Sequence, residues 1–257
     1  MILNVSFNFL GMNVSVYGLL MAVGFIVAFF VCNYLFKKSG EFKKDITFDL
    51  LLIIFPLSIL GARIYYCVFS EVDFSFVEFL QIWNGGLAIY GGIIGGFIGV
   101  LIYAIAKKIN ILKLTDVIAS GLILAQGIGR IGCYFGGCCY GVEVTNPSLM
   151  WFPFSVMIDG TWHYSTFFYE SAWNFLGFII LFIVYNKTKQ VGLTTGAYLC
   201  FYGLGRFFIE GLRGDSLFIG TLRVSQILSI VLFFVGIGLI CFSLWRKKTK
   251  NEQKQAS

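Results

Sequence analysis

The sequence predicts an all-α integral membrane protein with seven transmembrane helices, and three observations carry that prediction. The chain has 257 residues, of which 58% are hydrophobic and only 12% charged, with a mean hydropathy of +0.84. Soluble domains carry about 25% charged residues, so this chain lacks the polar surface to cover a water-soluble globule. Its apolar residues fall into seven runs, each of about twenty residues, which is the length that crosses a hydrocarbon core of roughly 30 Å as a helix and is too long for the strands of a barrel. The lysines, finally, are confined to alternate loops.

Residues 1–13 are short and mixed and read as a surface segment. With no basic start and no small-residue cleavage site, no cleavable signal peptide is expected. The first run, 14–36, stops at Lys37, Lys38, Lys43 and Lys44. The second, 48–69, carries Pro56 and Arg63 and leads into an aromatic loop with Glu71, Asp73 and Glu78. The third, 86–106, ends at Lys107, Lys108 and Lys113, and its Gly95, Gly96 and Gly99 predict close helix packing. The fourth, 114–135, contains Arg130, and Asp116 reads as a helix-start residue. A polar, aromatic loop to about residue 164 follows. The fifth run, 167–185, ends at Lys187 and Lys189, and Glu170 reads as an acid favouring its helix start. The sixth, 193–212, carries Arg206 and Glu210, and the seventh, 224–245, gives way to Arg246, Lys247 and Lys248. The whole, 1–257, reads as one transmembrane domain with a basic tail from about 246.

Every lysine lies after runs one, three and five or in the tail. By the positive-inside rule those segments are cytoplasmic, which places the N-terminus outside and the C-terminus inside. The formal charge of +6 therefore reads as anchorage at anionic headgroups, and no nucleic-acid partner is expected.

The remaining basic residues are all arginine: Arg63, Arg130, Arg206, Arg213 and Arg223. The first three each lie roughly 20–24 Å past the cytoplasmic start of an even-numbered run, at about 1.5 Å per residue. A charge within an apolar segment is expensive unless a polar or anionic group meets it. Arginine binds phosphate through a planar fork and stays charged when desolvated. One reading is therefore a pocket for an anionic phospholipid headgroup that opens toward the outer leaflet. The other is structural pairing, for which Glu210, one turn after Arg206, is the obvious partner.

Around Arg130 the stretch 129–141 holds five glycines and three cysteines, Cys133, Cys138 and Cys139. The seven cysteines show neither disulfide nor zinc spacing. Cys32, Cys67, Cys200 and Cys241 read as small buried hydrophobes. Tyr17 and Tyr202 lie toward the arginines, His163 reads as an interface residue, and Trp83, Trp151 and Trp162 read as an aromatic belt.

Taken in order, Tyr17-Gly18-Leu19-Leu20, the Gly-Ala-Arg-Ile around Arg63, Trp83-Asn84-Gly85-Gly86, Gly129-Arg130-Ile131-Gly132, Tyr169-Glu170, the segment from Tyr202 to Glu210 with Arg213, and Ser225-Gln226-Ile227-Leu228-Ser229 resemble the prolipoprotein diacylglyceryl transferases. The resemblance covers nearly the whole chain. It implies a multi-pass enzyme of the bacterial cytoplasmic (inner) membrane that moves the diacylglyceryl group of phosphatidylglycerol onto the lipobox cysteine of a prolipoprotein, with no cofactor or metal. It implies catalytic roles for Arg130 and Arg206, and substrate-side positions for Tyr17, Arg63, Tyr202, Cys133, Gly141 and Arg213, with Glu210 matching a further functional position.

The chain also departs from the family pattern. Tyr90 stands where the family usually has the histidine proposed as base, which makes Tyr90 the positional proton acceptor, beside His163 and Glu210. Cys133 and Cys138 replace an asparagine and a glutamate, and Tyr164-Ser165 replaces His-Pro. These departures leave open a divergent transferase with another acceptor, or a lipid-binding protein without catalysis.

Overall fold

A computed structural model describes residues 6–9, 12–70, 79–81, 85–188, 190–214, 218–219 and 222–255. Glu71, Asp73, Glu78, Trp83, Asn84 and Lys189 lie outside the described residues. Helices dominate: α1 (Val16–Ser39), α2 (Ile46–Phe69), α3 (Ile89–Lys107), α4 (Ile111–Gly136), α5 (Thr166–Thr188), α6 (Leu193–Glu210) and α7 (Val224–Gln255). All but α6 are long and apolar enough to cross a membrane. The sixth expected span, α6, is the shortest at 18 residues and ends in the charged pair Arg206 and Glu210. Large apolar side chains face outward, among them Ile89 at 70% exposure and Phe208 at 65%. Water would penalise that surface, and lipid does not.

Among the described residues, three antiparallel hairpins accompany the helices. They are β1 (Ser6–Phe9) with β2 (Met12–Ser15), β3 (Ser155–Ile158) with β4 (Thr161–Tyr164), and β5 (Phe218–Ile219) with β6 (Leu222–Arg223). None was expected from the long apolar runs. The middle one has a readable signal: Asp159-Gly160 sits at its tip with both residues at positive φ, 48° and 89°. That two-residue turn twists with the strands it joins.

The chain divides into two compact units, residues 1–32 with 116–257, and residues 33–115. In the second unit, α2 and α3 pack through glycine. Gly91, Gly95 and Gly99 are buried, and a Cβ at Gly95 would overlap the Leu57 carbonyl of α2. The glycine trio was expected to serve packing, and all three face α2: an added Cβ would also crowd Ser58 Oγ at Gly96 and Ile54 Cα at Gly99. Tyr103 donates to Asp49 at 3.1 Å across the same pair of helices.

In the larger unit Asp116 corrects an expectation. It lies inside α4, past its start at Ile111, and does not cap that helix. Its carboxylate accepts from Gly192 N (2.6 Å), Thr195 N (2.7 Å) and Thr195 Oγ1 (2.7 Å), so it caps α6. The free backbone donors of a helix start take a carboxylate from whichever element brings one near. α5 joins its neighbours through Ser171 Oγ to the Gly127 carbonyl at 2.8 Å and Trp173 Nε1 to the Phe201 carbonyl at 2.9 Å. The isolated cysteines are less buried than expected. Cys32, Cys67 and Cys200 are half-buried and Cys241 is exposed on α7; Cys32 and Cys200 still turn toward neighbouring helices, their Sγ atoms donating to the Val117 carbonyl at 3.8 Å and the Phe233 carbonyl at 3.4 Å.

A methyl group separates tight from open sites here. Gly95→Ala is expected to destabilise the protein by about 1–3 kcal/mol, since the α2 backbone cannot yield. Gly238→Ala, where an added Cβ meets nothing within 4 Å, is expected to be neutral or stabilising by up to about 1 kcal/mol. Thermal unfolding of both variants in detergent checks the contrast.

Candidate functional site

The larger unit gathers its charged side chains around one carboxylate. Glu170 lies in the second turn of α5 with only 5% of its side chain exposed. It accepts from Arg130 Nε at 2.7 Å and Arg206 Nη1 at 2.5 Å, and Arg213 Nη1 lies 3.6 Å away. Arg206 Nη2 reaches Glu210 at 2.7 Å, the pair that the one-turn spacing predicts. Arg223 donates to the Glu210 backbone carbonyl. Three guanidiniums thus share Glu170, and one of them also meets Glu210. Arg130 and Arg206 keep 21% and 17% of their side-chain surface exposed, so neither is sealed from an incoming anion.

Local sequence explains why these groups meet. A Cβ at Gly205 would overlap the Trp173 indole, so the glycine before Arg206 lets α6 lie against α5. Gly132 and Gly136 leave room for Tyr17, placing that tyrosine of α1 against the end of α4. Tyr202 lies one turn before Arg206 and within electrostatic reach of Arg130. Arg213 is held through its backbone. Gly141 bridges to it, Val142 N donates to the Leu212 carbonyl at 2.8 Å, and Gly141 N donates to the Tyr164 carbonyl at 2.8 Å. The segment after Cys139 is therefore tied both to β4 and to the residues after α6. Gly141, expected on the substrate side, has a packing role here: a Cβ would overlap the Leu212 carbonyl and crowd Tyr164 and Thr166.

The cysteines around the end of α4 lie beside this cluster. Cys138 N donates to the Cys133 carbonyl at 3.1 Å, and Gly137 and Cys139 take positive φ values of 60° and 61°. The fold-back brings the sulfurs of Cys133, Cys138 and Cys139 within 4.8 Å of one another. All are free thiols. Cys139 Sγ accepts from Arg130 Nη1 at 3.3 Å, and Thr166 Oγ1 donates to the Cys139 carbonyl at 2.6 Å. Hydrogen bonds from Cys133 and Cys138, with the guanidiniums of Arg130 and Arg213 behind them, hold the Cys139 thiol well below its ordinary pKa. At Cys138 the bond from Cys133 favours the thiolate, but its bond to Cys139 and its burial carry the thiol upward.

The other residues singled out in the sequence sit as follows. His163 lies in β4 with both ring nitrogens occupied, Nδ1 against the Gly141 carbonyl at 3.0 Å and Nε2 against Thr161 Oγ1 at 2.8 Å. It is a hairpin residue, and neither nitrogen is aimed at the arginines. Arg63 belongs to the smaller unit and is 5% exposed. Its Nε donates to the Phe79 carbonyl at 3.0 Å, and its Nη1 to those of Gly85 and Gly86 at 2.8 and 2.9 Å. Those bonds pin the segment leading into α3. Tyr90 lies in the first turn of α3, 40% exposed and 6.2 Å from the Tyr65 ring. Sequence reasoning missed Glu170 as the shared partner of the arginines. The available signal was a lone acid in an apolar run, next to arginines that needed one.

Fold and cluster together define a multi-pass helical membrane protein with a buried guanidinium–carboxylate network. The sequence profile of prolipoprotein diacylglyceryl transferase matches residues 4–242. The chain is similar to phosphatidylglycerol–prolipoprotein diacylglyceryl transferase 1 of Clostridium perfringens, 39% identical over 255 residues, 96% of this chain and 97% of the relative. Enzymes with the same activity name from Listeria innocua (41% identical, 90% of this chain and 86% of the relative) and Streptococcus agalactiae serotype Ia (41%, 86% and 90%) are also similar. The chain belongs to the prolipoprotein diacylglyceryl transferase family.

Removing one partner from a buried ion network leaves the others uncompensated. Glu170→Ala is expected to cost about 3–5 kcal/mol of stability, more than the same change at the exposed Glu252 of the tail. Thermal unfolding of the two variants in one detergent checks the difference.

Proposed function

We propose that this protein is a phosphatidylglycerol–prolipoprotein diacylglyceryl transferase of the bacterial cytoplasmic (inner) membrane. It acts at the outer face on the lipobox segment of its protein substrate, with its N-terminus outside, its lysine-rich loops and tail in the cytoplasm and no nucleic-acid partner. The three relatives above carry this activity in their names. The observation that supports it most strongly in the chain itself is the arginine cluster around Glu170.

In the reaction the lipobox thiolate attacks the glycerol carbon that bears the phosphate. A C–S bond forms, the C–O bond breaks, and its electron pair stays on the departing glycerol phosphate. Negative charge therefore grows on the phosphate in the transition state. Arg130 and Arg206 meet that charge, with Arg213 behind them, and positioned donors of this kind typically account for a large share of the rate. Glu170 and Glu210 hold the guanidiniums in place beforehand, so they need not reorganise as charge develops. Tyr17 and Tyr202 flank the headgroup. Arg63 acts by fixing the segment before α3. The thiol proton goes to Tyr90, which stands at the position of the usual family histidine and accepts as its phenolate, its own proton having left to solvent beforehand. The other acceptors raised by the sequence have no comparable support: His163 has both nitrogens occupied, and Glu210 is held by Arg206.

The test is transfer from labelled phosphatidylglycerol to a lipobox peptide in reconstituted membranes. Arg130→Ala and Arg206→Ala are each expected to lower kcat by about 10²–10³-fold. Lysine at either position is expected to restore little of it, since an ammonium lacks the planar fork. Folded wild-type protein that binds the lipid and transfers nothing would sink the proposal. For the proton, Tyr90→Phe is expected to lose about 10²-fold or more while Tyr90→His retains transfer. Equal activity in both variants removes Tyr90 from that role.

A further inference from the structure

The three cysteines around the end of α4 are not needed for the chemistry above, and their geometry is distinctive. Cys133 is buried in the last turn of α4, and Cys138 and Cys139 are half-buried in the loop that follows. Their sulfurs form a closed group within 4.8 Å. Three sulfurs around one ion at about 2.3 Å each would stand roughly 4 Å apart. The thiols are therefore within a small side-chain adjustment of a ligand set. The loop holds them there at some conformational cost, since Cys139 is a non-glycine residue at a φ of 61°, a region L side chains rarely adopt. The Cys138 N to Cys133 carbonyl bond and the Thr166 bond to the Cys139 carbonyl fasten both ends of the fold-back.

We propose that Cys133, Cys138 and Cys139 form a three-thiolate site for a soft monovalent metal ion of the Cu(I) class. Three considerations select the ion. The donor set is entirely sulfur, which favours soft metals over hard ones. Among the described residues no other histidine, cysteine or acid joins the group, so the four-coordinate shell that structural zinc requires is not completed. His163, the nearest imidazole in the chain, has both nitrogens bonded elsewhere. Charge points the same way. The Arg130 guanidinium lies 3.3 Å from Cys139 Sγ, which favours an anionic complex: three thiolates and one monovalent cation carry two negative charges. Binding releases the three thiol protons to solvent and leaves the ion's oxidation state unchanged. An occupied site would fix the loop beside Arg130, at the edge of the arginine cluster.

The test uses the full-length chain, purified in detergent, reduced and stripped of metal, with Cu(I) delivered against a chromophoric chelator under anaerobic conditions. One ion per chain is expected, with an affinity that falls by at least about tenfold in each of Cys133→Ser, Cys138→Ser and Cys139→Ser. Cys241→Ser, on the exposed face of α7, is expected to bind as wild type does. X-ray absorption of the loaded wild type is expected to count three sulfur neighbours, an outcome independent of how the variants fold. Two sulfurs, binding unaffected by all three substitutions, or no uptake by folded wild-type protein would each overturn the site. So would an intramolecular disulfide among the three thiols that survives in the protein under the reducing conditions of the assay.

Discussion

The carboxylate of Glu170 is the constraint on which the larger unit depends. Arginines on α4 and α6 and another just after α6 cannot share a low-dielectric site without an anion between them. Glu170, rising from α5, supplies it. Replacing such a network with apolar residues can be neutral or stabilising in other proteins, so its presence here is weak support for a purely structural purpose. A positioned, partly neutralised set of guanidiniums makes more sense as an arrangement that stability alone does not require. The glycine before Arg206, the Trp173 bond to α6 and the Ser171 bond to α4 all keep α5 where its acid can do this.

The loop after α4 completes the arrangement from the other direction. Residues 141–144 pair with β4 on one side and meet Leu212 and Arg213 on the other. A hairpin that looks peripheral is therefore what fixes the backbone of Arg213. The same segment explains why His163, chemically the most suggestive residue in the loop, is not available to the site. Its ring is used to hold Gly141, and Tyr140 packs on it at 5.1 Å.

What could be read from the sequence followed from local, periodic features. Seven apolar runs gave seven helices, and most helix ends fall within about three residues of the expected ones; only α7 runs well into the basic tail, to Gln255. Arg206 and Glu210 sit four apart on one helix, and their pairing needs no tertiary information. Glu170 and Asp116 failed for the opposite reason. Each was assigned to its own helix, whereas each serves a different one, and sequence spacing carries no record of which helix will be its neighbour. The cysteines illustrate the same limit. Spacings of five and one match no familiar metal or disulfide pattern, and only a glycine-led reversal at residues 136–139 closes them into a group.

On the proposed function, the arrangement of the cluster bears on catalysis. The guanidiniums share Glu170, and Arg206 also meets Glu210, so they are partly neutralised before a phosphodiester with its single negative charge arrives. The departing glycerol phosphate is a monoester and approaches two negative charges near neutral pH. Interaction with the arginines consequently grows as the C–O bond lengthens, which is the condition for lowering a barrier instead of merely deepening the ground state. On that proposal, neutralising either carboxylate would add positive charge, tighten the hold on the starting lipid and also on the product, and loosen the guanidiniums that the transition state needs in place. The acids then belong to the phosphate chemistry even though they repel phosphate: they temper the positive charge of the site and keep its arginines fixed before the reaction begins.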